Sequence, residues 1–264
     1  MIRIAAVLLA TTALAAPAMA ADFGMVQTMG SPMETAPTTD WTGFYISVFG
    51  GAAFNPATPG VLQIDQDLDG DFNEPLVGPL AAAFGVAFSG SRDAGAFGGI
   101  GAGYDMQMDQ FVVGGIVDIA YVDYSDIQQG FSTTPVAYTE TRTVGVLGTL
   151  RLKAGYLVTD DVLAYVHGGV AVGEVKNSFT SPGNPNGVQS GGQGAQVGFQ
   201  IGAGVETRVA SNLTLGLEYA YTNLGTNNFN NRFANGPFAP GADLRGSDRE
   251  FDFHQVKATL KYKF

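Results

Sequence analysis

From Val256 to Phe264 apolar and polar side chains alternate without a break. Val256, Ala258, Leu260, Tyr262 and Phe264 share one face, and Lys257, Thr259, Lys261 and Lys263 share the other. A period of two belongs to a strand with different environments on its two sides. Seven further stretches carry the same period. Leu213, Leu215, Leu217, Tyr219 and Tyr221 alternate with Thr214, Gly216, Glu218, Ala220 and Thr222. Ala195 through Val205 alternate with Gln196 through Glu206, and Val144, Val146, Leu150, Leu152 and Tyr156 oppose Thr143, Thr149, Arg151 and Lys153. Phe111, Val113, Val117, Ile119 and Tyr121 oppose a face with Asp118. Stretches near 41–54, 94–107 and 162–176 are richer in glycine, yet each has an apolar face, as with Phe44, Ile46 and Val48.

The connections decide how these eight segments are arranged. Tight turns lie near Met108-Asp109, at Thr159-Asp160-Asp161 and at Ala210-Ser211-Asn212, whereas 55–93, 124–140, 177–194 and 225–249 are long. Strict alternation of short and long is the habit of transmembrane barrels, with short periplasmic turns and long external loops. A sandwich gives no reason for it. The expected fold is therefore all-β: an eight-stranded antiparallel up-and-down transmembrane β-barrel with four long extracellular loops, spanning residues 41–264.

Composition agrees where it bears on this. Charged residues make up only 14% of the 264 residues, 37 are glycine, and no cysteine is present. The absence of cysteine excludes a disulfide scaffold and a thiolate site. A net charge of −11 argues against a nucleic-acid partner, which requires a basic face. At the other end, Met1-Ile2-Arg3, the uncharged run Ile4–Ala16 and Ala18-Met19-Ala20 have the form of a secretory signal peptide over 1–20. Residues 21–40 would then be a periplasmic N-terminal linker.

Five stretches carry a family resemblance. They are Trp41-Thr42-Gly43-Phe44-Tyr45-Ile46, Gly98-Gly99-Ile100-Gly101-Ala102-Gly103-Tyr104, Leu163 through Ala171, Leu217-Glu218-Tyr219-Ala220-Tyr221, and the ending Lys261-Tyr262-Lys263-Phe264. The chain resembles small alphaproteobacterial outer-membrane β-barrel surface proteins, of the family related to opacity proteins and the OmpA transmembrane domain. The resemblance implies a cell outer-membrane location and a role as a structural envelope protein or surface antigen, with adhesive or weak pore activity in some members. Outer-membrane lipid and lipopolysaccharide would surround it, and host or phage ligands would meet its loops. The outward Tyr262 and Phe264 of the last strand match the signal read by β-barrel assembly machinery after delivery by periplasmic chaperones.

The inward face collects Asp105, Asp118, Arg151, Lys153, Glu206, Arg208, Glu218, Lys257 and Lys261. Paired carboxylates suit acid–base catalysis, but an eight-stranded interior is only wide enough for side chains to fill it. Buried charges must pair, so the expectation is an ion-pair plug, no enzyme activity and no resident cofactor. No Gly-x-Ser-x-Gly elbow or phosphate loop occurs. His167 and His254 lack metal-ligand spacing and are expected to be structural.

One loop motif points to a cation. Asp65, Asp67, Asp69 and Asp71, with Gly70 among them, copy the first half of a calcium loop. The twelfth position is Leu76 and Glu74 is displaced from it, so the segment is a calcium site or an acidic solvated loop. Leu80 through Phe88 is an apolar run that either docks a partner, extends a strand or packs over the mouth of the barrel. Phe229, Phe233, Pro237, Phe238 and Pro240 in the last loop leave the same choice between recognition and packing. Three further functions stand beside the surface protein: a small pore for passive diffusion, a calcium-dependent adhesin through 65–71, and an outer-membrane hydrolase for which no nucleophile–base set is present.

Overall fold

The alternating segments meet edge to edge in a computed structural model that describes residues 40–84, 88–131, 137–181, 194–226, 230–233 and 241–264. The expected signal peptide and nearly all of the linker lie outside the described residues, as do Phe229, Pro237, Phe238 and Pro240. Eight strands close a ring: β1 (Gly43–Phe54), β4 (Gly95–Met108), β5 (Phe111–Phe131), β6 (Ala137–Thr159), β7 (Val162–Thr180), β8 (Gly194–Ala210), β9 (Leu213–Thr226) and β12 (Glu250–Lys263). Each pairs antiparallel with its neighbours, and β12 returns to β1 through a register that sets Val48 opposite Leu260. A short β3 (Phe88–Asp93) continues the line of β4 along β5. The three tight turns fall where the spacing puts them, and Asp109 takes the left-handed φ of 54° that the first requires.

The ring is inside-out relative to a soluble protein. Arg151 is 1% exposed and its neighbour Leu152 is 75% exposed. The same exchange repeats around the ring, where Phe44, Ile46, Ile100, Val117, Ile119, Leu150, Val166, Ile201 and Leu217 all face outward. Such an apolar outer band with a polar interior fits hydrocarbon outside, since every backbone group in a closed ring finds its partner within it.

The walls rise well above this band. β5, β6 and β7 run for 21, 23 and 19 residues, against the roughly 9–11 that a tilted membrane strand needs. The segment 124–140, expected as a loop, is therefore mostly wall. Two physical reasons hid it. Its outward face mixes polar Ser125, Gln129 and Thr139 with Ile127 and Phe131, and continues as Thr141 and Thr143, so the apolar band is broken although the strands are not. In addition, the pairing of β6 with β7 shifts between Val144 and Leu147. Below the shift odd residues of β6 point inward, and above it even ones do. Val144, assigned by period to the face of Val146, is consequently 3% exposed where Val146 is 44%.

The first and last long connections build a second sheet. β2 (Leu62–Asp65), β10 (Asn231–Phe233) and β11 (Ala242–Gly246) pair in the order β10-β11-β2. Leu62, Ile64, Phe233, Ala242 and Leu244 pack with Tyr138 and Phe179 of the barrel wall. Leu80 joins this cluster from the helix α1 (Gly78–Phe84), and Phe88, the first residue of β3, packs against it. The apolar run thus resolves into a helix and a strand start laid over the barrel end. A second apolar cluster fills the upper lumen (Phe97, Val122, Tyr124, Leu147, Leu224, Phe251, Phe253 among others), and a third closes the turn end with Trp41, Val112, Leu157 and Leu163.

Candidate functional site

Inward positions of six strands place the charged side chains in two stacked cells. Nearest the turn end, Lys153 Nζ lies 2.5 Å from Asp105 Oδ2 and 3.5 Å from Glu206 Oε2, while Lys261 Nζ lies 2.5 Å from Glu206 Oε1. Tyr45 stands in this cell, with the Lys261 ammonium 4.3 Å from its ring centroid. One layer up, Arg151 pairs with Asp118 and donates to Glu218 Oε1 at 2.8 Å. Lys257 reaches the same carboxylates at 3.4 and 2.8 Å. His167 Nε2 is 3.3 Å from Glu218 Oε1, and the Tyr165 hydroxyl donates to Glu218 Oε2 at 2.9 Å. Each cell holds two carboxylates and two ammonium or guanidinium groups. Charge is balanced locally, which buried ions require.

Glycine makes the approach close enough. A Cβ at Gly101 would sit 2.1 Å from Asp118 Oδ1, and one at Gly202 would sit 2.5 Å from His167 Nε2. Glycine on the inner wall therefore relieves crowding opposite a large polar group. Above the cells Gln200 donates to Thr222 Oγ1 at 2.7 Å and to Gln255 Oε1 at 2.8 Å. Between these amides and Lys257 lies a cavity of about 20 Å³ lined by Phe49, Thr149 and Glu218 among others, room for about one water.

A third charged layer sits at the opposite end, above the upper apolar cluster. Arg142 pairs with Asp126, Arg92 pairs with Asp248, and Arg142 Nη2 is 3.6 Å from Asp248 Oδ2. Gln128 Nε2 donates to the Asp248 carbonyl at 3.1 Å.

Comparison with known proteins accounts for this architecture. Residues 6–264 match the outer membrane protein beta-barrel domain. The chain belongs to that family. It is 30% identical over 261 residues to the 31 kDa outer-membrane immunogenic protein of Brucella melitensis, covering 95% of each chain. It is 29% identical over 178 residues to the 22 kDa outer membrane protein of Rhizobium leguminosarum, covering 67% of this chain and 71% of the relative. Among solved structures, the outer membrane protein OprG from Pseudomonas aeruginosa aligns over 86% of this chain and 99% of its own, with a TM-score of 0.48 and 11% identity. The protein is thus an outer-membrane β-barrel of the Gram-negative type, as the five sequence stretches imply.

Within this family member, Asp118, Arg151, Lys153, Glu206, Glu218, Lys257 and Lys261 lie together in the two cells. Arg208 does not join them. It lies beyond Glu206 at the turn-side mouth, where its guanidinium stacks 4.8 Å over the Trp41 ring and donates to the Asp40 carbonyl at 3.2 Å. The Trp41 indole N–H donates to the Asp160 carbonyl at 3.0 Å, so this residue corks the mouth. Tyr262 and Phe264 face outward with ring centroids 5.4 Å apart. His254, on the outer surface, is sandwiched among Phe54, Tyr219 and Tyr221.

The acidic loop is arranged differently from the calcium motif. Carboxylate oxygens of Asp65, Asp67 and Glu74 lie within 4.8 Å of one another, and Asp69 and Asp71 are outside the group. Asp65 accepts the Leu68 and Gly70 amides at 2.7 and 2.9 Å, Asp69 accepts that of Asp71 at 2.8 Å, and Asp71 accepts that of Asn73 at 2.8 Å. The alternate aspartates serve successive backbone turns, a local competition typical of Asp.

The layer of Arg92, Asp126, Arg142 and Asp248 escaped sequence reasoning. Arg92, Asp126 and Asp248 come from segments read as loops, and Arg142 lies just past the end of one. The one available signal was the continued alternation of Tyr124, Asp126 and Gln128.

Proposed function

We propose that the protein is a structural, surface-exposed barrel with a closed lumen, which carries its outward-facing specificity on the cap of β2, β10, β11 and α1. The observation that carries this reading is the pair of charge-balanced cells crossing the interior between Trp41 at one end and the apolar layer at the other. In an eight-stranded interior, side chains that pair across the lumen leave no continuous water path. The relatives named immunogenic outer-membrane proteins support exposure at the cell surface. Outward Tyr262 and Phe264 serve as the assembly signal in this reading, and lipid with lipopolysaccharide surrounds the apolar band.

The chain has no cysteine, so single introduced thiols test the orientation. Asp69→Cys in the cap is expected to react with a membrane-impermeant maleimide on intact cells. Asp160→Cys in a short turn should react only after the outer membrane is permeabilised. Labelling of Asp160→Cys on intact cells, with Asp69→Cys silent, would reverse the reading.

A further inference from the structure

Among the described residues no cap strand shares a ladder with the barrel sheet, and β2, β10 and β11 form ladders only with one another. What joins them to the wall is the apolar cluster around Tyr138 and Phe179, the polar contacts of Asp248, and one buried carboxylate, Glu140. Glu140 lies on the inward face of β6 above the register shift, 3% exposed and outside the membrane band. The Gly246 amide of β11 donates to its carboxylate, whereas Oε2 has no partner among the described residues. Gly246 is itself pressed against the wall, since a Cβ there would lie 2.5 Å from Gln128 Nε2. On the cap side Asn231 is fully buried, and neither atom of its amide has a partner among the described residues. The interface thus pairs its polar groups incompletely while its separate ladder leaves it free to lift as a unit.

We infer that Glu140 is a latch that makes docking of the cap onto the barrel depend on pH, acid holding it down and neutral to alkaline conditions loosening it. Burial disfavours the charged carboxylate and pushes Glu140 up to about 7 from an ordinary 4.5. The charged groups near it are few. Arg142 on the same strand favours ionisation, and Asp126 on β5 opposes it. Arg142 already serves Asp126 and Asp248, and Arg92 is engaged with Asp248 as well. β7 presents the neutral Asn177 and Phe179 opposite Arg142 and Glu140, and β11 presents only the amide. A lifted cap returns Glu140 to water and its ordinary range. The docked state therefore binds more protons than the lifted one between those two values. Docking weakens as pH rises through that window and is weakest above it.

Hydrogen exchange of the full chain refolded in lipid, read at pH 5 and pH 8 and scaled for intrinsic rates, tests this. Peptides over 62–65 and 242–246 should be protected at least about tenfold more at pH 5, while the β7–β8 wall stays level. Glu140→Gln keeps an acceptor for Gly246 and cannot ionise, so its cap should be as protected at pH 8 as at pH 5. Glu140→Met, likewise neutral, should also lose the pH difference, and heat-modifiable gel mobility shows that each barrel has folded. Equal protection of the wild-type cap at both pH values, or a full wild-type difference in Glu140→Gln, would overturn the latch. Neither result would touch the closed lumen, which rests on other residues.

Discussion

The two ends of the interior solve the same electrostatic problem with different tolerance for change. In the membrane-level cells Arg151, Lys153, Glu206 and Glu218 are each no more than 4% exposed, and every partner is anchored on a barrel strand. In the outer layer Asp248 is contributed by the connection before β12, and its side chain is 21% exposed. The lower cells are fixed by a closed ring whose backbone has no alternative partner. Asp248 and the cap strands share no ladder with the ring and are joined to it through side chains of the wall. Charge pairing in the first region is a condition of the fold, and in the second it is a fastening that can be undone locally.

The largest effect should come from breaking a lower cell. Arg151→Ala leaves Asp118 and Glu218 to share a single remaining cation, Lys257, and so a buried uncompensated charge costing about 3–5 kcal/mol. The single tryptophan, Trp41, sits at the turn-end mouth, so its fluorescence during urea unfolding in lipid reports the barrel directly. An unchanged midpoint would show that the cell is not a condition of the fold. Next in size is Leu244→Ala in the cap, where a fully buried leucine is removed at a local cost of about 2–5 kcal/mol. Here the Trp41 transition should stay within about 0.5 kcal/mol of wild type, while amide exchange over 242–246 accelerates. Coupled loss of both would merge the two regions into one cooperative unit. Smallest is Glu174→Gln, which removes an exposed pair with Lys176 (3.7 Å, side chains about half exposed) and should shift neither readout by more than about 0.5 kcal/mol.

The same contrast governs what was legible in the sequence. Lower strands alternate apolar-out and polar-in, so their number, their three turns and the inward placement of Asp118, Arg151, Glu206 and Lys261 could be read from period alone. Pairing could not: Lys153 meets Asp105 and Glu206 only because the ring closes, and their separations along the chain are 48 and 53 residues. Arg208 has the inward parity of Glu206 but sits one step too near the mouth, a depth that period does not encode. Above the membrane the outer face mixes threonine and serine with Ile127 and Phe131 while Tyr124, Tyr138 and Phe251 turn inward, so the polarity that marks a strand weakens. The register shift at Val144 then exchanges the faces. Cap strands of 4, 3 and 5 residues are too short for any period to show. In the 65–71 loop the alternate spacing was legible, but that Glu74 rather than Asp69 and Asp71 stands beside Asp65 and Asp67 depends on the turn geometry.

The closed lumen is the claim on which the structural reading depends, and planar-bilayer conductance of the refolded wild-type protein tests it most directly. Two paired cells, with only a one-water cavity above them, predict a silent bilayer at neutral pH. Steady single-channel openings, reproducible between preparations, would contradict the plug and make the barrel a small pore.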